Sequence, residues 1–110
     1  MANTFLRKLS SSIGVTPTAV GGYTVGASTQ TTLIGLTCAN ITSTSVTADI
    51  TLSTADSDFY IVKDATVPAG GSLVAVGGDQ KVVLQTGDSV KVTSSDSDSI
   101  DVIMSLLEIT

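Results

Sequence analysis

Residues 45–53 read SVTADITLS, and the alternation in this stretch does not slip. Val46, Ala48, Ile50 and Leu52 fall on one side of an extended chain. Thr47, Asp49, Thr51 and Ser53 fall on the other. A period of two belongs to a β-strand with one buried and one wetted face, and no helix can place those four apolar residues on a common side.

The rest of the chain after Pro17 reads the same way. AVGGYTV (19–25) predicts a weak strand bent at Gly21-Gly22. TTLIGLTCANI (31–41) predicts a second, with Gly35 as a point of close approach. FYIVKDATV (59–67) is rich in β-branched and aromatic residues. Pro68-Ala69-Gly70-Gly71 is a turn, since Pro presets φ and Gly accepts a positive one. SLVAV (72–76) then reads as one arm of a hairpin, closed by Gly77-Gly78-Asp79-Gln80 onto KVVLQ (81–85). SVKVTSS (89–95) and IDVIMSLLEIT (100–110) complete the series. In the last, Ile100, Val102, Met104 and Leu106 share a face while Ile103, Leu107 and Ile109 make the other apolar too, which predicts a strand central in its sheet or covered by a partner. Seven to eight short strands with a turn every eight to twelve residues predict an all-β fold, a single antiparallel β-sandwich or jelly-roll-like domain over 15–110.

Residues 1–14 stand apart as an N-terminal arm. Phe5, Leu6, Leu9 and Ile13 have loose helical spacing, which Ser10-Ser11-Ser12 and Gly14 interrupt. The spacing predicts an arm or a short helical turn, poorly anchored on its own, read either as a frayed terminus or as a docking arm that orders on a neighbour.

Composition then removes whole classes of function. The 110 residues include no His, no Trp and one cysteine, Cys38, so His-based triads, His-ligated zinc and disulfide frameworks have no residues to be built from. A chain of this mass buries about two-thirds of its unfolded surface, room for one modest core rather than a core and a deep cleft. Five basic residues against ten acids leave a net charge of -5, which repels phosphates and argues against nucleic acid and anionic membranes as partners. No apolar run is long enough for a membrane span or for a secretory signal, and a lone thiol fits synthesis in a reducing cytosol. Charged residues are only 14% of the chain, so solubility rests on Ser and Thr hydroxyls. Such a surface suits either an ordinary Thr-rich β domain or a subunit packed within an assembly.

Candidate chemistry is sparse. Asp96, Asp98 and Asp101 superficially resemble a calcium loop, but an EF-hand starting at Asp96 needs Gly at the position of Asp101 and Glu at that of Leu107. Asp56 and Asp58 form a second acidic turn. Were both turns at one end of a sandwich they could share Ca²⁺; the simpler reading is two solvated turns, with no metal and no cofactor. No G-x-S-x-G elbow occurs, and no G-K-[ST] follows the Gly-rich turns. The expectation is a non-enzyme. Tyr23 and Tyr60, the only phenols, lie in predicted strands and read as core or cross-strand residues. A carbohydrate- or cell-surface-binding module would need one of them exposed.

The run YIVKDATVPAGGSLVAVGGDQKVVLQTGDSVKVTSS, the ending DVIMSLLEIT and the upstream IGLTCANITSTSVTADITL resemble a family of small β-sandwich virion proteins of tailed bacteriophages. The resemblance implies a particle component: a capsid decoration or cement protein, or a neck or tail accessory. It would be made in the host cytoplasm and housed in the virion, with major capsid or neck and tail proteins as partners, and assembled as a homotrimer or ring. The two-sided apolar terminus and the arm nominate Phe5, Leu6, Leu9, Met104, Leu106, Leu107 and Ile109 as partner contacts.

Overall fold

A computed structural model describes residues 3–77 and 81–110. Among these residues the chain forms nine strands and one 3-10 turn: β1 (Asn3–Ile13), β2 (Thr18–Ala19), the turn Val20–Gly22, β3 (Gln30–Asn40), β4 (Val46–Ser53), β5 (Asp58–Val67), β6 (Ser72–Val76), β7 (Val82–Leu84), β8 (Ser89–Ser94) and β9 (Ile100–Ile109). They make two antiparallel sheets. The first runs β1-β9-β3-β6, with β7 also on β3; the second runs β2-β8-β4-β5. The chain crosses repeatedly between the sheets, and this strand order is that of a jelly roll.

The expected alternation builds the core. Val46, Ala48 and Ile50 of β4, Val90 and Val92 of β8, and Ile100, Val102, Met104 and Leu106 of β9 all face inward and are buried. In β3 the inward residues are Leu33, Leu36 and Cys38, and the phase slips once. Leu33 lies opposite Leu106 but Gly35 lies opposite Ser105, so β3 carries one extra residue there. The bulge lets two leucines three positions apart reach the same core. Gly35 therefore marks a bulge and not a close approach: a Cβ there would meet the Val76 carbonyl oxygen at an ordinary 3.7 Å.

Three local expectations change. The helical turn read into the arm is a strand: β1 pairs with β9 from Asn3↔Ile109 to Ser10↔Val102, then shifts register before Ile13↔Ile100. Phe5 and Leu9, four apart, share a strand face as readily as a helix face. Leu6 takes the opposite side, and the bulge at Ser12 (φ 55), whose N–H donates to Asp101 Oδ1 at 2.9 Å, brings Ile13 into the core. A bulged strand thus imitates helical spacing. Second, the weak strand at 19–25 is mostly not strand. β2 ends at Ala19, and Gly21 and Gly22 take φ of 60° and 67° in the 3-10 turn. Third, β6 and β7 are not two arms of a hairpin. Both run antiparallel to β3, β6 beside Leu36–Ala39 and β7 beside Thr31–Leu33, so they run the same way, end to end along one edge. Residues 78–80 of the turn expected between them lie outside the described residues.

Asn40 closes one end of the sandwich. It is buried, its Nδ2 donates to the carbonyls of Thr44 and Val67, and its Oδ1 accepts from the Thr42 N–H. Ser94 and Ser99 share a buried hydroxyl hydrogen bond, and the Ser99 N–H donates to the Ile13 carbonyl. Among the described residues, every buried side-chain nitrogen or oxygen has a partner. At the other end, the hydroxyl of buried Tyr23 donates to Glu108 Oε2 and shares a hydrogen bond with Thr31 Oγ1, both 2.8 Å. Burial is the largest of the effects that raise the Tyr23 phenol above its ordinary pKa, and the Glu108 carboxylate adds to it.

Candidate docking face

The pairing registers place two cross-strand rows of side chains on the outward face of the first sheet. One row is Val74–Thr37–Ile103–Leu9, through the pairs Thr37↔Val74, Thr37↔Ile103 and Leu9↔Ile103. The other is Val83–Thr32–Leu107–Phe5, through Thr32↔Val83, Thr32↔Leu107 and Phe5↔Leu107. Each row holds three apolar side chains and one threonine. Four residues of β9 separate the rows, about 13 Å. Between them lies a slimmer row of Arg7, Ser105 and Gly35. Phe5 is 76% exposed, Val74 and Val83 64% each, and Ile103 55%.

The outward face of the second sheet is different. There β4 presents Thr47, Asp49 and Thr51, and β8 presents Lys91 and Thr93. Asp49 Oδ1 accepts the N–H of Asp64 at 2.7 Å, where β5 bulges and Asp64 takes φ 53. Both outer faces meet water in the single chain; the second is the more polar, though exposed Val15, Pro17 and Tyr60 lie against its Thr and Asp side chains. Scattered exposed apolar residues are ordinary, but two apolar rows on one face, with the Arg7–Ser105–Gly35 row between them, make a candidate interaction surface.

The nominated contact residues divide by strand parity. Phe5 and Leu9 lie exposed on the apolar face, and Leu107 and Ile109 are half-buried on the same side. Leu6 turns inward and packs against the core. Met104 and Leu106 are fully buried core residues and cannot touch a partner in the folded chain. Taking the C-terminal segment as one contiguous contact combined the two faces, whereas a strand offers a partner only every second residue. Val74 and Val83 were missed because each lies in a short apolar strand whose outward side only the pairing with β3 reveals. Ile103 was legible as part of the outer apolar series of β9.

The acidic turns sit at opposite ends. Ser53, next to the turn that holds Asp56, pairs with Ser89, whereas Ser94, next to the turn that holds Asp96 and Asp98, pairs with Ala48. Five residues of β8 separate the ends, about 17 Å, so the turns cannot share one ion. Among the described residues no group of three His, Cys, Asp or Glu side chains could hold a metal. Cys38 is buried, and burial pushes its thiol up to about 11, which removes it from thiolate chemistry at neutral pH. Tyr60, read as a core or cross-strand residue, is 57% exposed on the second sheet's outer face, in a groove with Val15, Pro17, Asp49, Thr51, Asp58 and Thr93, and Lys63 Nζ lies 4.8 Å from its ring centroid.

No protein-family model matches this sequence, and no curated protein matches it. Among solved structures, the fold is similar to that of a protein of the Bacillus endospore appendages, which form a novel family of disulfide-linked pili. The two superpose with a TM-score of 0.51 at 12% identity, over 100% of this chain and 91% of that one. At that identity the likeness is one of fold, and it supports the two-sheet architecture.

Proposed function

We propose that this chain is a non-enzymatic structural subunit that docks on protein neighbours in a large assembly through the apolar outer face of its first sheet. The observation that carries this reading is the asymmetry between the two outer faces: rows of Val, Ile, Leu and Phe on one, Thr, Asp and Lys on the other. The fold's likeness to a pilus protein is in keeping with an assembling role. A pilus linked by disulfides, however, needs accessible cysteines, and the one cysteine here is buried. This chain would assemble by shape and apolar contact.

In its finer form the proposal is a capsid decoration or cement protein of a tailed phage, placed on the virion after synthesis in the host cytoplasm and acting in several copies. That form rests on the sequence resemblance alone. Many weak copies on a symmetric shell bind and stiffen it by avidity. The test is co-sedimentation with particles purified from the source. Binding that is lost in outer-face variants of β7 and β9 and kept in variants of the polar face supports the reading. Binding indifferent to the apolar face refutes it.

Exposed Tyr60 beside Asp49, Asp58 and Thr51 supports a second reading, a carbohydrate-binding face, because an aromatic ring flanked by hydrogen-bonding groups suits a sugar. Glycan-array binding that Tyr60→Ala abolishes would favour it over docking.

A further inference from the structure

A sheet edge is a row of unpaired backbone donors and acceptors, and natural proteins blunt such edges by shortening, bulging or charging them. Among the described residues the sheet edges are blunted in all but one place. β2 has two residues. The β6/β7 edge is broken into strands of five and three. β5 is long, but its register shifts twice, Asp64 takes a left-handed φ, and Asp58, Lys63 and Asp64 line it. β1 alone is long and regular, pairing without a slip from Asn3 to Ser10, and it lies at the margin of its sheet. Its inward lysine is no obstacle to pairing. Lys8 is half-buried under the 3-10 turn, with its Nζ 5.6 Å from the Tyr23 ring centroid, so its charge is turned back into the molecule.

We infer that β1 of one copy pairs antiparallel with β1 of a second copy, about a two-fold axis at Phe5, joining the two first sheets into one. The partner follows from matching: among the described residues no other edge offers a comparable unbroken length, and an edge that pairs with itself closes as a dimer. A trimer or ring, as the sequence resemblance implied, needs two different complementary edges. The register follows from three constraints. Both apolar faces must lie on the same side, so the axis passes through a residue. Centring on Arg7 sets two guanidinium groups opposite each other. Centring on Leu6 or Arg7 also draws in Leu9, whose backbone N lies 3.3 Å from where a Cβ on Gly21 would sit, so the turn crowds that stretch. Centring on Phe5 uses only Asn3 to Arg7, pairs Asn3 with the other Arg7, and sets the two exposed Phe5 rings side by side. The row Val83–Thr32–Leu107–Phe5 then continues through the axis into its own copy, making one apolar band across the dimer. This deepens the docking proposal by naming a second copy as the first neighbour, and it rests on that reading for its purpose.

Light scattering across a dilution series reads the mass directly. The wild type should be dimeric at high concentration and dissociate on dilution, and Phe5→Lys should be monomeric with unchanged thermal unfolding. Oxidation of Phe5→Cys should give a covalent dimer. Arg7→Cys should not, because its two thiols would sit about 13 Å apart along the seam; buried Cys38 makes the wild type the control. A wild type monomeric at its highest soluble concentration, a dimer that Phe5→Lys leaves intact, or crosslinking through Arg7→Cys in place of Phe5→Cys overturns the inference. Val74→Lys, at the far edge of the same face, separates the two proposals. Particle docking lost with the dimer kept supports both. Docking kept by a monomeric wild type removes the dimer alone, and a dimer whose docking ignores Val74→Lys removes the apolar face alone.

Discussion

Replacing Ile103 with threonine tests the docking face while leaving the fold alone. Ile103 sits in the central strand of the first sheet, flanked by Leu9 and Thr37, and just over half its surface is uncovered. Threonine keeps the β-branch, and so the strand preference, while removing apolar carbon. Full burial of such a side chain is worth about 1.5–3 kcal/mol, so the half still exposed represents about 0.8–1.5 kcal/mol available to a partner. Docking should weaken about 4- to 13-fold per site. Val83→Thr lies on the other row, about 13 Å away along β9, beyond the distance at which substitutions usually couple. The double variant should therefore lose the product of the two factors, about 15- to 160-fold. A sedimentation isotherm on purified particles measures this, with urea unfolding run in parallel. Stability should change by less than about 1 kcal/mol, because neither side chain enters the core. Thr93→Ile, on the polar face, should leave the isotherm unmoved. Unchanged affinity in the double variant refutes the reasoning. So does a loss of affinity that tracks a loss of stability, because the residues would then act through the fold.

The core assignments predict the opposite pattern: Met104→Ala or Leu106→Ala should cost about 2–5 kcal/mol by denaturant titration, and Leu107→Ala, half-exposed on the outer face, much less. Gly21→Ala and Gly22→Ala form a matched pair, since both positions have a left-handed φ, but a Cβ at Gly21 would sit 2.9 Å from Lys8 Cβ whereas at Gly22 nothing lies within 4 Å. Both should lose about 1–2 kcal/mol for the backbone, and Gly21→Ala should lose measurably more by urea midpoint; equal losses would show that the turn does not press on β1. Burial raises the Cys38 thiol from 9.0 to about 11, so its contribution to stability is complete below pH 9 and is lost as the pH rises through 11. Cys38→Ala should flatten the fall in unfolding free energy over that window.

Much of this architecture is legible in one dimension. The alternation at 45–53 places β4 and its two faces, and the turn at Pro68 to Gly71 falls where expected, with Gly70 at φ 69 and the Gly71 N–H donating to the Pro68 carbonyl. The two-faced apolar pattern of β9 forecasts an inner strand, and it lies between β1 and β3. Where the reading erred, a bulge or a long-range pairing intervened. The extra residue before Ile13 made a strand look helical. The passage of β6 and β7 in the same direction along one edge of β3 made two strands that do not pair with each other look like a hairpin.

What the order of residues determined by itself is the class of molecule: side-chain period and turn chemistry act within a few residues, so they are written locally, and the composition leaves out His, Trp and any second Cys. Which apolar residues became core and which became surface was settled only in three dimensions. Met104 and Ile103 are neighbours of similar hydrophobicity, yet one is enclosed between the sheets and the other looks out. The same holds for the assembly of Phe5, Leu107, Thr32 and Val83 into one row, because strands far apart in the chain had to find their register before those side chains could form a face.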